Sequence, residues 1–204
     1  MTSPDLIGYP LAPLNGGKLD PYTPGLIGEW ILQPKVDNWR GVVHAPTQTV
    51  WNQYGQLSSC ADKFGHALDM LHALPFEWLD VGLMECRHDL MRGCIIVFDV
   101  IAPNLTFTQR RAGLRALLPA ALPEDMAELL KLTGGQLRDA VFLINQWDNG
   151  IERRKLSDFL QAQNKTIGHK FYEGIIAKRA NSLYPIQQTP KEKFEGWIKH
   201  RFDQ

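Results

Sequence analysis

Bulky residues alternate or recur at helical spacing along most of the chain, and the polar or Gly/Pro-rich stretches between them mark the turns. Trp30-Ile31-Leu32-Gln33-Pro34 alternates as a β-strand that runs out just before Lys35, with Pro34 at the strand end, where no ladder donor is needed. Gly41-Val42-Val43-His44 and Thr47-Gln48-Thr49-Val50-Trp51 continue as strands of a meander closed by a turn at Tyr54-Gly55. Phe64, Ala67, Leu68, Leu71 and Leu74 fall at helical spacing, with Ser58 or Ser59 as the cap and Pro75 as the stop. Glu77 to Arg87 and Cys94 to Ile101 are the next two strands, the second buried because it is almost wholly apolar. A helix starting at Thr108 turns Leu114, Leu117 and Leu118 inward and Arg110, Arg111 and Arg115 outward. A further helix from Pro123 to about Leu132 ends at Gly134-Gly135, and Val141 to Gln146 alternates as a strand. Ile151 to Gln163 is helical, with Leu156, Phe159 and Leu160 on one face, and Phe171 to Lys178 and Glu195 to Phe202 are the last strands.

Composition narrows the picture. The 204 residues are 44% hydrophobic, with six Trp and nine Phe, enough for one sizeable core or two small ones; neither a repeat nor an interdomain linker interrupts them, and one domain is expected. Residues 1 to 28 hold Pro4, Pro10, Pro13, Pro21 and Pro24 and are expected to form an irregular lead-in. Within it, Gly16-Gly17-Lys18 is no phosphate loop, because Ala12 stands where the first glycine of that motif belongs and Leu19 where Ser or Thr belongs. The formal charge is zero, which argues against a protein held on nucleic acid by gross electrostatics, but residues 1–150 carry 11 basic and 16 acidic side chains and residues 151–204 carry 11 and 6. Polyanion contacts are therefore expected near the C-terminal quarter. Cys60, Cys86 and Cys94 lack disulfide or zinc spacing, no basic region leads into an apolar core at the N-terminus, and Asp99 stops the apolar run from Cys94. A cytoplasmic location with no membrane contact is expected.

Three short stretches carry candidate chemistry. In Lys35-Val36-Asp37-Asn38-Trp39-Arg40, an amine at a strand exit becomes a nucleophile if desolvation or nearby cations lower its pKa, and an arginine five residues on can fork onto a phosphate or sugar oxygen. Glu173-Gly174-Ile175-Ile176-Ala177-Lys178 opens a buried strand with an acid and ends it with a lysine, five apart and so on opposite faces unless a bulge intervenes. Lys199 and Arg201 in Trp197-Ile198-Lys199-His200-Arg201 share a strand face, where two cations would offset a triphosphate's charge.

In this order the three stretches resemble the motifs of the covalent nucleotidyltransferase superfamily of ATP-dependent DNA ligases, RNA ligases and mRNA capping enzymes. The family signature begins Lys-x-Asp-Gly-x-Arg, its fourth motif is Glu-Gly-hydrophobic-hydrophobic-x-Lys, and its fifth is a Trp-x-Lys-x-Lys type of segment. Val97-Phe98-Asp99-Val100-Ile101 is similar to the family's aromatic-Asp strand, followed, as in ligases, by a helix with paired arginines, here Arg110-Arg111. The resemblance spans residues 26 to 202. It implies an α+β, ATP-grasp-like nucleotidyltransferase domain of antiparallel sheets flanked by helices, with the nucleotide cleft between the sheets. That domain would be a single adenylation unit over residues 1–204, with 1–25 a lead-in and no OB-fold domain.

The roles it implies are these. Lys35 attacks the α-phosphate of ATP to give a lysyl-AMP phosphoramidate, Phe98 stacks on adenine and Gln33 meets the adenine edge. Arg40, Lys178, Lys199 and Arg201 contact the nucleotide, and Glu173 helps hold Mg2+. The third motif, normally Asp-Gly-Glu, is reduced to Leu83-Met84-Glu85, with Asp80 competing with Glu85 for the ribose. Asn38 replaces the signature glycine, and Asn52-Gln53-Tyr54-Gly55 stands for the ligase Ser-Arg-Asn-Gly, losing an arginine that would touch a nick phosphate. The expected activity is sealing of 5′-phosphate/3′-hydroxyl nicks in DNA by a monomer, with a separate OB-fold partner left open. An RNA ligase is the nearest alternative, a capping guanylyltransferase a more distant one, and a non-catalytic reader of nucleic-acid ends the alternative from another class.

Overall fold

The computed structural model describes residues 15–18, 26, 28–52, 54–84, 91–118, 120–125, 128, 140–148, 153–186 and 193–202. The fold is α+β: two five-stranded sheets and, among the described residues, three α-helices. The first sheet runs β1 (Asn15–Lys18), β10 (Lys193–Arg201), β9 (Tyr172–Arg179), β2 (Trp30–Val36), β8 (Trp147–Asp148). The second runs β4 (Thr49–Asn52), β3 (Trp39–His44), β5 (Trp78–Met84), β6 (Cys94–Val100), β7 (Val141–Leu143). Pairing is antiparallel except for β1–β10 and β6–β7, which are parallel.

Two features differ from the sequence expectation at the N-terminal side. The expected lead-in contains a strand, β1, which Asn-Gly-Gly-Lys could not announce because it has no apolar alternation and is fixed by pairing with the edge of β10. β2 does not run out at Pro34 but continues through Lys35 to Val36. It tolerates the proline because β8 pairs only with Ile31 and Leu32, leaving that side of Pro34 without a partner strand.

Apolar faces meet where the sequence periodicities put them, with exceptions. Phe64, Ala67, Leu68 and Leu71 are buried, but a 3-10 turn (Ala61–Phe64) precedes α1 (Gly65–His72), and neither Ser58 nor Ser59 caps it. α2 (Phe107–Leu117) starts one residue early because Thr106 makes a reciprocal capping box with Gln109. Its buried face is Phe107, Arg110 and Leu114, while Leu117 is exposed. α3 (Arg153–Ile167) buries Leu156, Leu160 and Ile167 against β9 and leaves Phe159 exposed. The helix expected after Pro123 and residues 85–90, with Glu85 and Cys86, lie outside the described residues, apart from 123–125 and 128. No described helix is long and apolar enough to cross a membrane.

Candidate active site

The two sheets face each other across a cleft of about 460 Å³. One wall is β2, β9 and β10, through Gln33, Lys35, Glu173, Ile176, Lys178, Lys199 and Arg201; the other is β3 to β6, through Trp39, Arg40, Asp80 and Phe98. Lys35 sits one residue from the end of β2, and only Asp37 and Asn38 link that strand to β3 in the opposite sheet. The first motif thus reaches both walls.

Two β-bulges aim the side chains. Between β2 and β9, Lys35 pairs with Gly174 and Val36 with Tyr172, so Glu173 is the extra residue; this bulge removes the parity objection to Glu173 and Lys178 sharing the cleft. Glu173 accepts a hydrogen bond from the Lys35 amine, with both side chains about one-fifth exposed. Between β5 and β6, Asp80 pairs with Asp99 and Val81 with Val97, so Phe98 is the extra residue there. Phe98 and Asn38 bracket Gly82, where a Cβ would stand 2.6 Å from Phe98 Cζ and 2.8 Å from Asn38 Cγ. A side chain at Gly82 would collide with both and displace one of them.

Below the open wall lies a buried ionic layer. Arg40 forks onto Asp80, Nε to Oδ1 at 2.9 Å and Nη2 to Oδ2 at 2.6 Å, and the Tyr184 hydroxyl donates to the same carboxylate at 3.2 Å. Burial, then the Asp80 charge, raises the Tyr184 pKa well above its ordinary value. Asp99, fully buried, receives Arg110 Nε at 2.8 Å, Arg110 Nη2 at 3.1 Å and Lys178 Nζ at 3.0 Å. The Lys178 amine lies 4.3 Å from the Trp197 ring centroid and 4.8 Å from that of Phe107. Burial lowers its pKa, with Asp99 and Asp80 opposing. Lys199 is lowered too, first by burial and then by the charges of Arg201, Lys35 and Arg40.

No family model matches the chain, and no curated protein matches it. Its fold does match solved structures. The ligase domain of LigD from M. tuberculosis superposes with a TM-score of 0.54 at 16% identity, over 94% of this chain and 59% of that one. A Lig E DNA ligase, described as binding DNA with a minimal scaffold, gives 0.56 at 12% over 94% and 69%. Pmar-Lig_Pre. gives 0.56 at 15% over 94% and 47%, so this chain spans about half to two thirds of the length of these proteins. The fold is that of a DNA ligase nucleotidyltransferase domain.

Within this nucleotidyltransferase fold, Gln33, Lys35, Arg40, Phe98, Glu173, Lys178, Lys199 and Arg201 all line the one cleft. Gln33 is buried and its amide donates to the Phe98 carbonyl at 3.1 Å, which ties the two walls together behind the ring. Glu85 lies outside the described residues, whereas Asp80 lines the cleft. Asn38, in the place of the signature glycine, does not adopt a left-handed backbone: φ is positive among described non-glycine residues only at Gln48 and Met91. Its amide instead donates to the Val36 carbonyl at 2.6 Å.

Sequence reasoning missed Arg110, which it placed outward, and Tyr184, and it quoted Trp197 within the fifth motif without giving it a role; the Tyr184 and Trp197 rings enclose the ionic layer. The spacing of Phe107, Arg110 and Leu114 was the available signal, since an arginine in an apolar slot requires a buried acid. It also passed over Trp39 and Ser58 as lining residues of the cleft.

Proposed function

We propose that this chain is the adenylation domain of an ATP-dependent polynucleotide ligase acting on nicked DNA. The observation that carries the reading is the convergence of Lys35, Arg40, Phe98, Glu173, Lys199 and Arg201, from five strands of two sheets, on one cleft. Each stretch alone has a bland meaning as a surface turn or frayed tail. A nucleophile, a flat ring and three guanidinium or ammonium groups in one cavity are the parts a nucleotidyl transfer needs.

Lys35 Nζ attacks the α-phosphorus of ATP; the N–P bond forms as the bond to the bridging oxygen of pyrophosphate breaks, and the lysine gives up the proton the bond displaces. The adenylate then passes to a 5′-phosphate, whose oxygen takes the phosphorus and returns the lysine. A 3′-hydroxyl attacks the activated 5′-phosphate and AMP leaves. Phe98 offers adenine a face, Ile176 lines the opposite wall, and Gln33 lies at the base edge. Arg40, locked on Asp80, presents a fixed fork to the nucleotide. Lys178 keeps its amine on Asp99 and so acts on the phosphates by charge rather than contact.

Among the described residues no three metal-ligating side chains cluster, and Asp80 is taken by Arg40. Glu173 also has a cationic partner, Lys35, but it is about one-fifth exposed where Asp80 is fully buried, so it is the cleft carboxylate that would hold Mg2+, an arrangement that fits an ion bound by one or two carboxylates with substrate phosphates. When bound, it would offset phosphate charge. The test is a gel assay of nicked duplexes carrying a 5′-phosphate, in DNA and RNA versions, with ATP and magnesium. Joined DNA, lost in Glu173→Ala, is expected; joining of RNA alone would make the chain an RNA ligase, and no joining of either would reject the reading.

A further inference from the structure

Two exposed aromatic side chains stand on the rim of the cleft, and the adenylation chemistry uses neither. Trp39 is 42% and Tyr54 77% exposed, and both line the cavity. The backbone that carries Tyr54 is held in a hydrogen-bonded turn. Asn52 Oδ1 accepts from the backbone N–H of Tyr54 at 2.8 Å and of Gln56 at 3.1 Å. Asn52 N–H donates to the Gln56 carbonyl at 2.8 Å, and Gly55 N–H to the Asn52 carbonyl at 3.1 Å, with Gly55 in the left-handed region that closes such a turn. Trp39 is held from the other side as the first residue of β3, in register with Leu83.

Behind this rim the cavity is lined by Lys35, Arg40, Lys199 and Arg201 against the two carboxylates of Asp80 and Glu173. A ligand that suits both zones has an anionic group at one end and a flat apolar ring at the other. We propose that Trp39 and Tyr54 form a stacking platform for an unpaired base at the 5′-phosphorylated end of a nucleic-acid strand. This rests on the ligase reading and names its substrate more narrowly. In an intact duplex both faces of each base are already covered by neighbours, so a rim aromatic gains area only from a base outside the stack.

The test is fluorescence anisotropy with the full chain and labelled nicked duplexes, DNA and RNA, whose 5′-phosphorylated terminal nucleotide is either paired or mismatched. The unpaired end should bind about ten-fold more tightly, the scale of one base stack. Trp39→Ala and Tyr54→Ala should each reduce that preference, and Trp39→Phe and Tyr54→Phe should keep it, because a ring remains. A preference for RNA over DNA ends would fix the sugar without changing the platform. Equal binding of paired and unpaired ends, or alanine variants that retain the preference, would overturn the inference. A chain that prefers unpaired ends yet takes no AMP on lysine would contradict the ligase reading and keep the platform.

Discussion

Glu173 and Phe98 are each the extra residue of a β-bulge, one in either sheet, and their side chains line the same cleft. A bulge breaks the two-residue period, so it puts a side chain where regular pleating would not. One bulge sets a carboxylate beside Lys35, and the other places a ring on the facing wall with Asp99 free to point into the buried layer.

The first bulge depends on Gly174. A Cβ there would collide with the carbonyl oxygen of His200 on β10. Gly174→Ala should therefore destabilise the fold by about 1–3 kcal/mol, the usual cost of overpacking. Urea unfolding measures it, and an unchanged midpoint would show that β10 yields without cost.

The buried layer predicts an asymmetry. Asp99→Asn leaves Arg110 and Lys178 buried without their shared carboxylate and should cost about 3–5 kcal/mol. Lys178→Met leaves the Arg110–Asp99 pair intact and keeps an unbranched stem between Phe107 and Trp197, so its loss should be clearly smaller. Urea melts of the two variants decide the order, and a larger loss for Lys178→Met would contradict it.

The pattern of apolar residues located nearly every described element, because strand alternation and helical spacing report burial locally. It did not locate β1, whose Asn-Gly-Gly-Lys pairs with a strand distant in sequence, or the two-residue β8, which lies just past the strand expected to end at Gln146, nor did it place Arg110 inward, since that depends on Asp99 and Lys178. The site was legible as motifs in order, and the structure gathers those motifs around one cleft. The bulge at Glu173 was open as a possibility from parity alone; the bulge at Phe98 was not, because it arises from the pairing of β5 with β6. Trp39 and Tyr54 lie inside motif segments but at positions the motifs give no role, and their meaning comes from standing on the rim.

If Phe98 stacks on adenine, Phe98→Ala should weaken ATP binding by about 1–3 kcal/mol. Calorimetry gives the number directly. Unchanged affinity would move the base to another part of the cleft.

Lys199 makes nucleotide binding depend on pH. Burial and then the cations Arg201, Lys35 and Arg40 hold its pKa below the ordinary 10.5 in the free chain. Bound phosphates add negative charge and raise it again, so the complex keeps a proton that the free chain has released. Binding should take up protons in the range below 10.5, and affinity should fall as pH rises through it. Calorimetry in buffers of different ionisation enthalpy reads the uptake, which Lys199→Arg should remove. No uptake in the unsubstituted chain would place the phosphates away from Lys199.

The central claim is that Lys35 carries AMP. The direct measurement is incubation of the chain with α-labelled ATP and magnesium, denaturation, and peptide mapping of any retained label. The account predicts label on Lys35 alone, acid-labile and base-stable as a phosphoramidate is, and none on a folded Lys35→Ala variant. Label on any other residue, or label that survives Lys35→Ala, would contradict it.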